Sequence, residues 1–375
     1  MARLGDIATY INGYAFKPTD WSEDGLPIIR IQDLTGNSYQ ANRYNGVYAT
    51  KYEVNNGDVL ISWSASLGVY IWKGEKAVLN QHIFKVVFDK AELNKSFFVH
   101  QVKNILEKAS SEAHGATMKH LTKPVFDSLP FYLPSMDEQE KIASVLDKVS
   151  ILIFNREQQL SKLDELVKSR FIELFGDPET NPYGWEKVTV GDVCSSIVRG
   201  PFGSALKKEF FVEPNETTYK VYEQKHAIQK SATIGTYYVT AEKFDELQRF
   251  ECVAGDILMS CSGTMGELYQ LPEGCEKGLI NQALCKFTLN ERILPIVFLT
   301  YMKQTIGNLE TKGSGIQNIA AVSYVKSMPI NLAPMEVQKQ FAVFVEQTDK
   351  SKLAIQQSLE QLETLKKSLM QQYFG

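Results

Sequence analysis

Gly57-Asp58-Val59-Leu60-Ile61-Ser62 returns later in the chain as Gly255-Asp256-Ile257-Leu258-Met259-Ser260, and this recurrence decides how the sequence is read. Working outward, Leu79-Asn80-Gln81 returns as Ile280-Asn281-Gln282, Leu129-Pro130 as Met328-Pro329, and Phe175-Gly176 as Phe374-Gly375. Near the start of each copy, Leu4-Gly5-Asp6-Ile7 matches Val190-Gly191-Asp192-Val193. The order is kept and the offset drifts little. Chance does not produce that, and the chain reads as a duplicated unit of roughly 190–200 residues.

Each copy has two parts. The first carries short apolar runs bounded by glycine, such as 59–61 and 69–72, with β-branched and aromatic residues that favour strands. Helical stretches such as 95–109 lie among them. The second part is one long helix: after Pro134 and Pro334 neither glycine nor proline occurs before Gly176 and Gly375. In the first helix Ile142, Leu146, Val149, Ile153, Arg156, Leu160, Leu163, Val167, Arg170 and Leu174 alternate at spacings of four and three. Phe341, Val345, Thr348, Lys352, Ile355, Leu359, Leu362, Lys366, Leu369 and Tyr373 do the same in the second. That spacing marks a coiled-coil seam. About 36 residues at ~1.5 Å rise make a rod of roughly 54 Å, too long merely to cover one globule, so the two helices are expected to pair. Lys352 takes the rank of Ile153, and Ile355 that of Arg156, so the seams are not interchangeable. The expected fold is α+β. Two similar globules, 1–134 and 178–333, are joined by two long antiparallel coiled-coil helices, 135–177 and 334–375, with an internal pseudo-two-fold repeat.

The chain has 375 residues, 44% of them hydrophobic, and a formal charge of −4. That balance excludes a protein that coats nucleic acid through bulk charge. Residues 1–134 carry 14 basic and 13 acidic side chains, and 178–333 carry 15 and 17. Any polyanion contact must therefore be local. No run approaches the ~20 apolar residues of a membrane span. The stretch 1–16 mixes Arg3, Asp6 and Asn12 into its apolar residues, unlike a signal peptide. A cytoplasmic location is expected.

Catalytic patterns are missing. There is no GxxxxGK[ST] loop and no HExxH pair. The five cysteines, Cys194, Cys252, Cys261, Cys275 and Cys285, form no CxxC and lie only in the second copy. Buried free thiols suit them better than a metal site or a disulfide. Asn181-Pro182-Tyr183-Gly184 comes near the [DN]PP[FY] loop of amino-methyltransferases but lacks its second proline, and reads as a turn. Glu223-Gln224-Lys225 matches half of a nuclease ExK pair, without an aspartate between Asp192 and Asp245 to complete it.

Several stretches resemble a known family. Leu129-Pro130 through Gln139-Glu140-Lys141-Ile142 is similar to the approach to the helix in specificity subunits of type I restriction–modification systems. Met328-Pro329 through Val337-Gln338-Lys339-Gln340-Phe341 repeats it, with Val337 in place of the usual acidic residue. Phe175-Gly176-Asp177-Pro178, Asn181-Pro182 and Gly184-Trp185 resemble that family's junction into its second recognition domain. The run 313–319, Gly-Ser-Gly-Ile-Gln-Asn-Ile, resembles its glycine-flanked loop, and 114–119 is a looser copy.

The resemblance implies a non-catalytic subunit that addresses a complex to DNA. Each globule would be a target recognition domain for half of a split, asymmetric double-stranded sequence. The helices would space the halves and dock two methyltransferase subunits, which would carry S-adenosylmethionine. Restriction subunits, the motor–nuclease of the full complex, would bring ATP and Mg. Candidate DNA contacts in the first globule are Lys17, Arg30, Gln32, Ser62, Trp63, Ser64, Lys119 and His120. In the second they are Arg199, Lys207, Lys208, Ser260, Ser262, Thr264, Gln317 and Asn318. Arginine suits guanine, glutamine and asparagine suit adenine, and lysine and serine more often hold phosphate. The competing reading is a coiled-coil adaptor with two protein-binding globules.

Overall fold

The computed structural model describes residues 1–36, 42–64, 66–112, 122–202, 205–311 and 321–375. They form two compact units, one of Met1–Gln159 with Ile355–Gly375, the other of Leu160–Ala354. Both long helices, Met136–Phe175 and Met335–Phe374, run from one unit into the other.

Each unit holds the same three sheets. In the first, Thr9–Asn12, Ile83–Val87, Val59–Ser62 and Gly68–Ile71 form an antiparallel sheet in that spatial order. Arg43–Tyr44, Leu26–Ile29, Ala77–Leu79 and Glu53–Val54 form a second, whose central pair is parallel. Ala2–Arg3 pairs with Pro130–Phe131. The second unit repeats the plan. Cys194–Arg199, Leu284–Leu289, Ile257–Ser260 and Leu268–Gln270 make its antiparallel sheet. Tyr238–Val239, Tyr219–Tyr222, Gly278–Ile280 and Glu251–Cys252 make its mixed one. Glu186–Thr189 pairs with Pro329–Leu332.

The recurring hexapeptide has a physical reason in each position. Gly57 and Gly255 sit at φ +90° and +89°, the left-handed region where a side chain would be strained. The aspartate after each closes the turn: Asp58 Oδ2 accepts from Asn55 N at 2.9 Å, and Asp256 Oδ2 from Val253 N at 3.0 Å. Both pair with a lysine of the neighbouring strand, Lys85 at 3.3 Å and Lys286 at 3.5 Å. The strand that follows is apolar without alternation because it is covered on both faces. Val59 and Ile61 enter one core and Leu60 another; Ile257 and Met259 part from Leu258 in the same way.

The two copies of this ion pair differ in burial. Asp256 is buried and also accepts from Thr288 Oγ1 at 2.6 Å, whereas Asp58 is part-exposed. Asp256→Ala is therefore expected to cost about 3–5 kcal/mol, since it strands Lys286 away from water. Asp58→Ala should cost clearly less. Urea unfolding of the two variants checks this, and equal costs would show that burial does not set the value.

Every one of the twenty seam residues is buried or half-buried. Within the first unit, Ile142, Ala143 and Leu146 from the start of the first long helix join the core. Leu369, Met370, Tyr373 and Phe374 from the end of the second pack against it, with Phe374 edge-on to Phe97 at 5.5 Å. The second unit reverses the roles. Phe341 and Val345 from the start of its own helix meet Phe171 and Phe175 from the end of the other. Phe171 and Phe175 stack at 4.5 Å, and Phe341 lies edge-on to both. Lys352 Nζ reaches Asp164 Oδ1 at 2.7 Å. The helices run antiparallel in each unit, and each globule is covered by one end of each.

Two glutamines explain the motif at the helix starts. Gln139 is buried; its Oε1 accepts from Asn94 N at 2.9 Å, and its Nε2 donates to the carbonyls of Glu92 and Pro134. Gln338 does the same with Leu294 N and the carbonyls of Arg292 and Ala333. Each amide satisfies three backbone groups that would otherwise be buried unpaired.

Candidate nucleic-acid interface

Four loops converge at one end of each globule, tied by matching backbone bonds. In the first unit Gly13 N donates to Ile83 O at 3.1 Å, Trp63 N to His82 O at 3.2 Å and Asn80 N to Ile29 O at 3.1 Å. In the second, Gly200 N donates to Leu284 O at 3.0 Å, Cys261 N to Ala283 O at 2.8 Å and Asn281 N to Tyr222 O at 3.0 Å. The contact is close. A Cβ on Gly13 would lie 1.9 Å from Asn80 O, and one on Gly200 would lie 1.9 Å from Asn281 O. The recurring asparagines serve the scaffold: Asn80 Oδ1 accepts from Gln81 N at 2.8 Å, and Asn281 Oδ1 from Ala283 N at 3.1 Å.

Most of the sequence-derived candidates sit on or beside these loops. Arg30 and Gln32 belong to the corner after Leu26–Ile29, where the Arg30 guanidinium lies 5.5 Å over the Trp21 ring. Trp63 Nε1 donates to Asn12 Oδ1 at 3.2 Å and stacks on Phe84. Arg199 donates to Gln282 O at 3.3 Å and Cys261 O at 3.4 Å, with its guanidinium 5.1 Å over Phe202, which is 67% exposed. Ser262 Oγ donates to Gln224 Oε1 at 3.0 Å, and Thr264 is exposed. Lys17 and Lys207 are exposed and structurally equivalent, each preceding a short 3-10 turn with φ −98° and −96°; Lys208 is exposed beside Lys207.

Ser62, Ser64 and Ser260, named from the sequence as candidate DNA contacts, are buried and present no open side chain to a ligand. The Ser62 hydroxyl donates to Ser66 O and that of Ser260 to Thr264 O, so these two hold the hairpin turn. Lys119, His120, Gln317 and Asn318 lie outside the described residues.

Sequence reading missed Gly13 and Gly200, although the alignment of Asn12-Gly13 with Arg199-Gly200 could have shown them. It also missed His226. Its Nδ1 lies 2.8 Å from Glu223 N and 3.0 Å from Glu223 O, and its Nε2 lies 2.7 Å from Ile234 O. Burial holds the His226 pKa below the usual imidazole value, and it does the same for His100, which lies 2.8 Å from Asp147. The unfolded chain therefore takes up protons near pH 6.5 that the folded chain refuses. Stability is expected to hold above that pH and to fall as pH drops from about 6.5 towards 5. Urea midpoints at pH 7.5 and 5.5 test this; equal midpoints would overturn it.

Among the described residues no group of His, Cys, Asp and Glu is placed to hold a metal ion, and no helix is long and apolar enough to cross a membrane. Cys252, Cys261 and Cys285 are buried and free.

A family model described as "Type I restriction modification DNA specificity domain" matches residues 1–165 and 182–364. The chain belongs to this family. Among curated specificity-domain relatives, the type I restriction enzyme EcoBI specificity subunit of Escherichia coli is 29% identical over 168 residues, 44% of this chain and 35% of that protein. The MjaVIII specificity subunit of Methanocaldococcus jannaschii is 21% identical over 207 residues, 52% of this chain and 45% of that one. The chain thus aligns with less than half the length of these two. The putative MjaX specificity subunit of the same organism is 21% identical over 98% of this chain and 90% of its own. Two solved structures share the fold. The S subunit of a type I system from M. genitalium gives a TM-score of 0.52 at 14% identity, covering 98% of this chain and 94% of its own. A chain from a study of complex assembly and conformational transition of the type I R-M system gives 0.57 at 15%, covering 100% and 96%.

Proposed function

We propose that this chain is the non-catalytic specificity subunit of a type I restriction–modification complex. Each loop cluster reads one half of a bipartite, asymmetric DNA target. The long helices set the gap between the halves and dock two methyltransferase subunits. Those subunits carry S-adenosylmethionine, and motor–nuclease subunits carry ATP and Mg in the full cytoplasmic assembly.

The observation that carries this reading is the doubled cluster. Its scaffold is shared, from Gly13/Gly200 to Asn80/Asn281, and so is the exposed lysine at Lys17/Lys207. The polar side chains around it differ between copies, as Asn12 does from Arg199. A shared cation suits phosphate, which carries no sequence, while differing side chains suit two different half-sites. Docking is supported by apolar residues left open on the first long helix, where Ile151 and Phe154 are each 57% exposed.

Co-expression with an adenine methyltransferase subunit, followed by sequencing of methylated adenines, tests the proposal. A bipartite asymmetric motif that depends on this chain is expected. Methylation that ignores the chain, or that marks one short uninterrupted motif, would remove it and favour the adaptor reading.

A further inference from the structure

We propose that Glu223 and Lys225 form a specificity-determining pair for the second half-site, reading an exocyclic amino group and the acceptor beside it. This rests on the reading of the loop clusters as target readers. The chain corner that follows the central strand of the mixed sheet is built twice to the same pattern. Arg30 and Glu223 each precede a short helix with φ −117° and ψ 166°. Each has its backbone N–H bound by the side chain three residues on, Asp33 Oδ2 at 2.7 Å and His226 Nδ1 at 2.8 Å. The chemistry is inverted on side chains that are each about one-fifth exposed, Arg30 at 19% and Glu223 at 20%. Arg30 and Gln32 in the first unit stand where Glu223 and Lys225 stand in the second.

The fold does not require this inversion. The backbone N–H of the cap is bound by the side chain at 33 or 226 in both units, whichever residue stands at 30 or 223. The corner is also fixed to the cluster in the second unit. Gln224 accepts from Ser262 Oγ at 3.0 Å and donates to Thr264 O at 3.5 Å.

A carboxylate on a DNA-facing surface is repelled by phosphates, so it is favourable there only where it meets a hydrogen-bond donor on a base. The donors in the major groove are the amino groups of cytosine and adenine. Lys225 Nζ lies 2.6 Å from Glu223 Oε2 and 5.4 Å over the Tyr237 ring. It offsets the carboxylate charge and holds a donor beside the acceptor. Two base edges complement that arrangement: adenine, with N6–H beside N7, and a cytosine–guanine pair, with N4–H beside O6. Lys17 and Lys207, alike in both units, remain the phosphate contacts.

The full-length chain, co-expressed with the methyltransferase subunit, is tested by mapping methylated adenines for the natural sequence, Glu223→Ala and Glu223→Arg. Glu223→Ala should relax one position of the second half-site by about 5- to 150-fold in discrimination and leave the first half unchanged. Glu223→Arg installs the residue that the first unit already carries on the same backbone corner. It should move the preference at that position towards guanine. An unchanged motif in Glu223→Arg overturns the inference, as does an even loss across both half-sites. If the natural sequence itself gives no bipartite motif, the target-reader proposal fails and takes this one with it. A bipartite motif that neither variant alters sinks the pair alone.

Discussion

Removing residues 369–375 is expected to unfold the globule formed by the beginning of the chain. Leu369, Met370, Tyr373 and Phe374 lie half-buried against the core that holds Phe97, Phe98 and Phe131, and Lys108 Nζ donates to Phe374 O at 3.2 Å. Truncating one well-buried phenylalanine costs about 3–5 kcal/mol. Deleting four half-buried side chains should cost at least about 4 kcal/mol, against a typical domain stability of about 5–15 kcal/mol. Amide hydrogen exchange reads this directly. Protection over residues 97–106 should collapse, while residues 284–302 of the other unit keep theirs. Unchanged protection over 97–106 would show that the first unit closes without the second helix.

Gly200→Ala should have a comparable effect on the second unit. The new Cβ would stand 1.9 Å from the backbone oxygen of Asn281 and 2.3 Å from its carbonyl carbon. The obstacle is backbone, so relief requires moving two loops of the cluster apart. A cost of about 3 kcal/mol or more is expected, at the upper end for overpacking. Gly13→Ala should do the same to the first unit. Each variant should lower the unfolding temperature of its own unit, and on the proposed function it should blur only its own half of the methylation motif. A Gly200→Ala protein that melts like the parent would mean that the loops do not meet this closely.

The duplication and the two helices were legible because they leave marks along the chain: a recurring order of motifs, and apolar residues at spacings of four and three. Periodicity reports that a face is apolar but not what covers it. It therefore gave the seam from Ile142 to Leu174 without showing that Phe171 and Phe175 close the second globule, or that Phe374 closes the first. The loop candidates were chosen by side-chain chemistry, which does not register burial. Trp63 and Arg199 fall in the clusters, while Ser62 and Ser260 are spent inside their hairpins. Glu223-Gln224-Lys225 looked like a broken catalytic motif because it was read as a string. Its relation to Arg30 and Gln32 has no identity to betray it, and exists only as a shared backbone corner.

The interleaved helices also set an order of events during synthesis. The first globule has its strands and its Lys95–Glu112 helix early, yet part of its apolar covering is made only when the ribosome reaches residues 369–374. At ~5–20 residues per second, the interval between Phe131 and Phe374 is roughly 12–50 s. For that time Phe97 and its neighbours lack their last cover, open to chaperones and proteases. A chain cut short anywhere in between keeps that apolar core without its last cover.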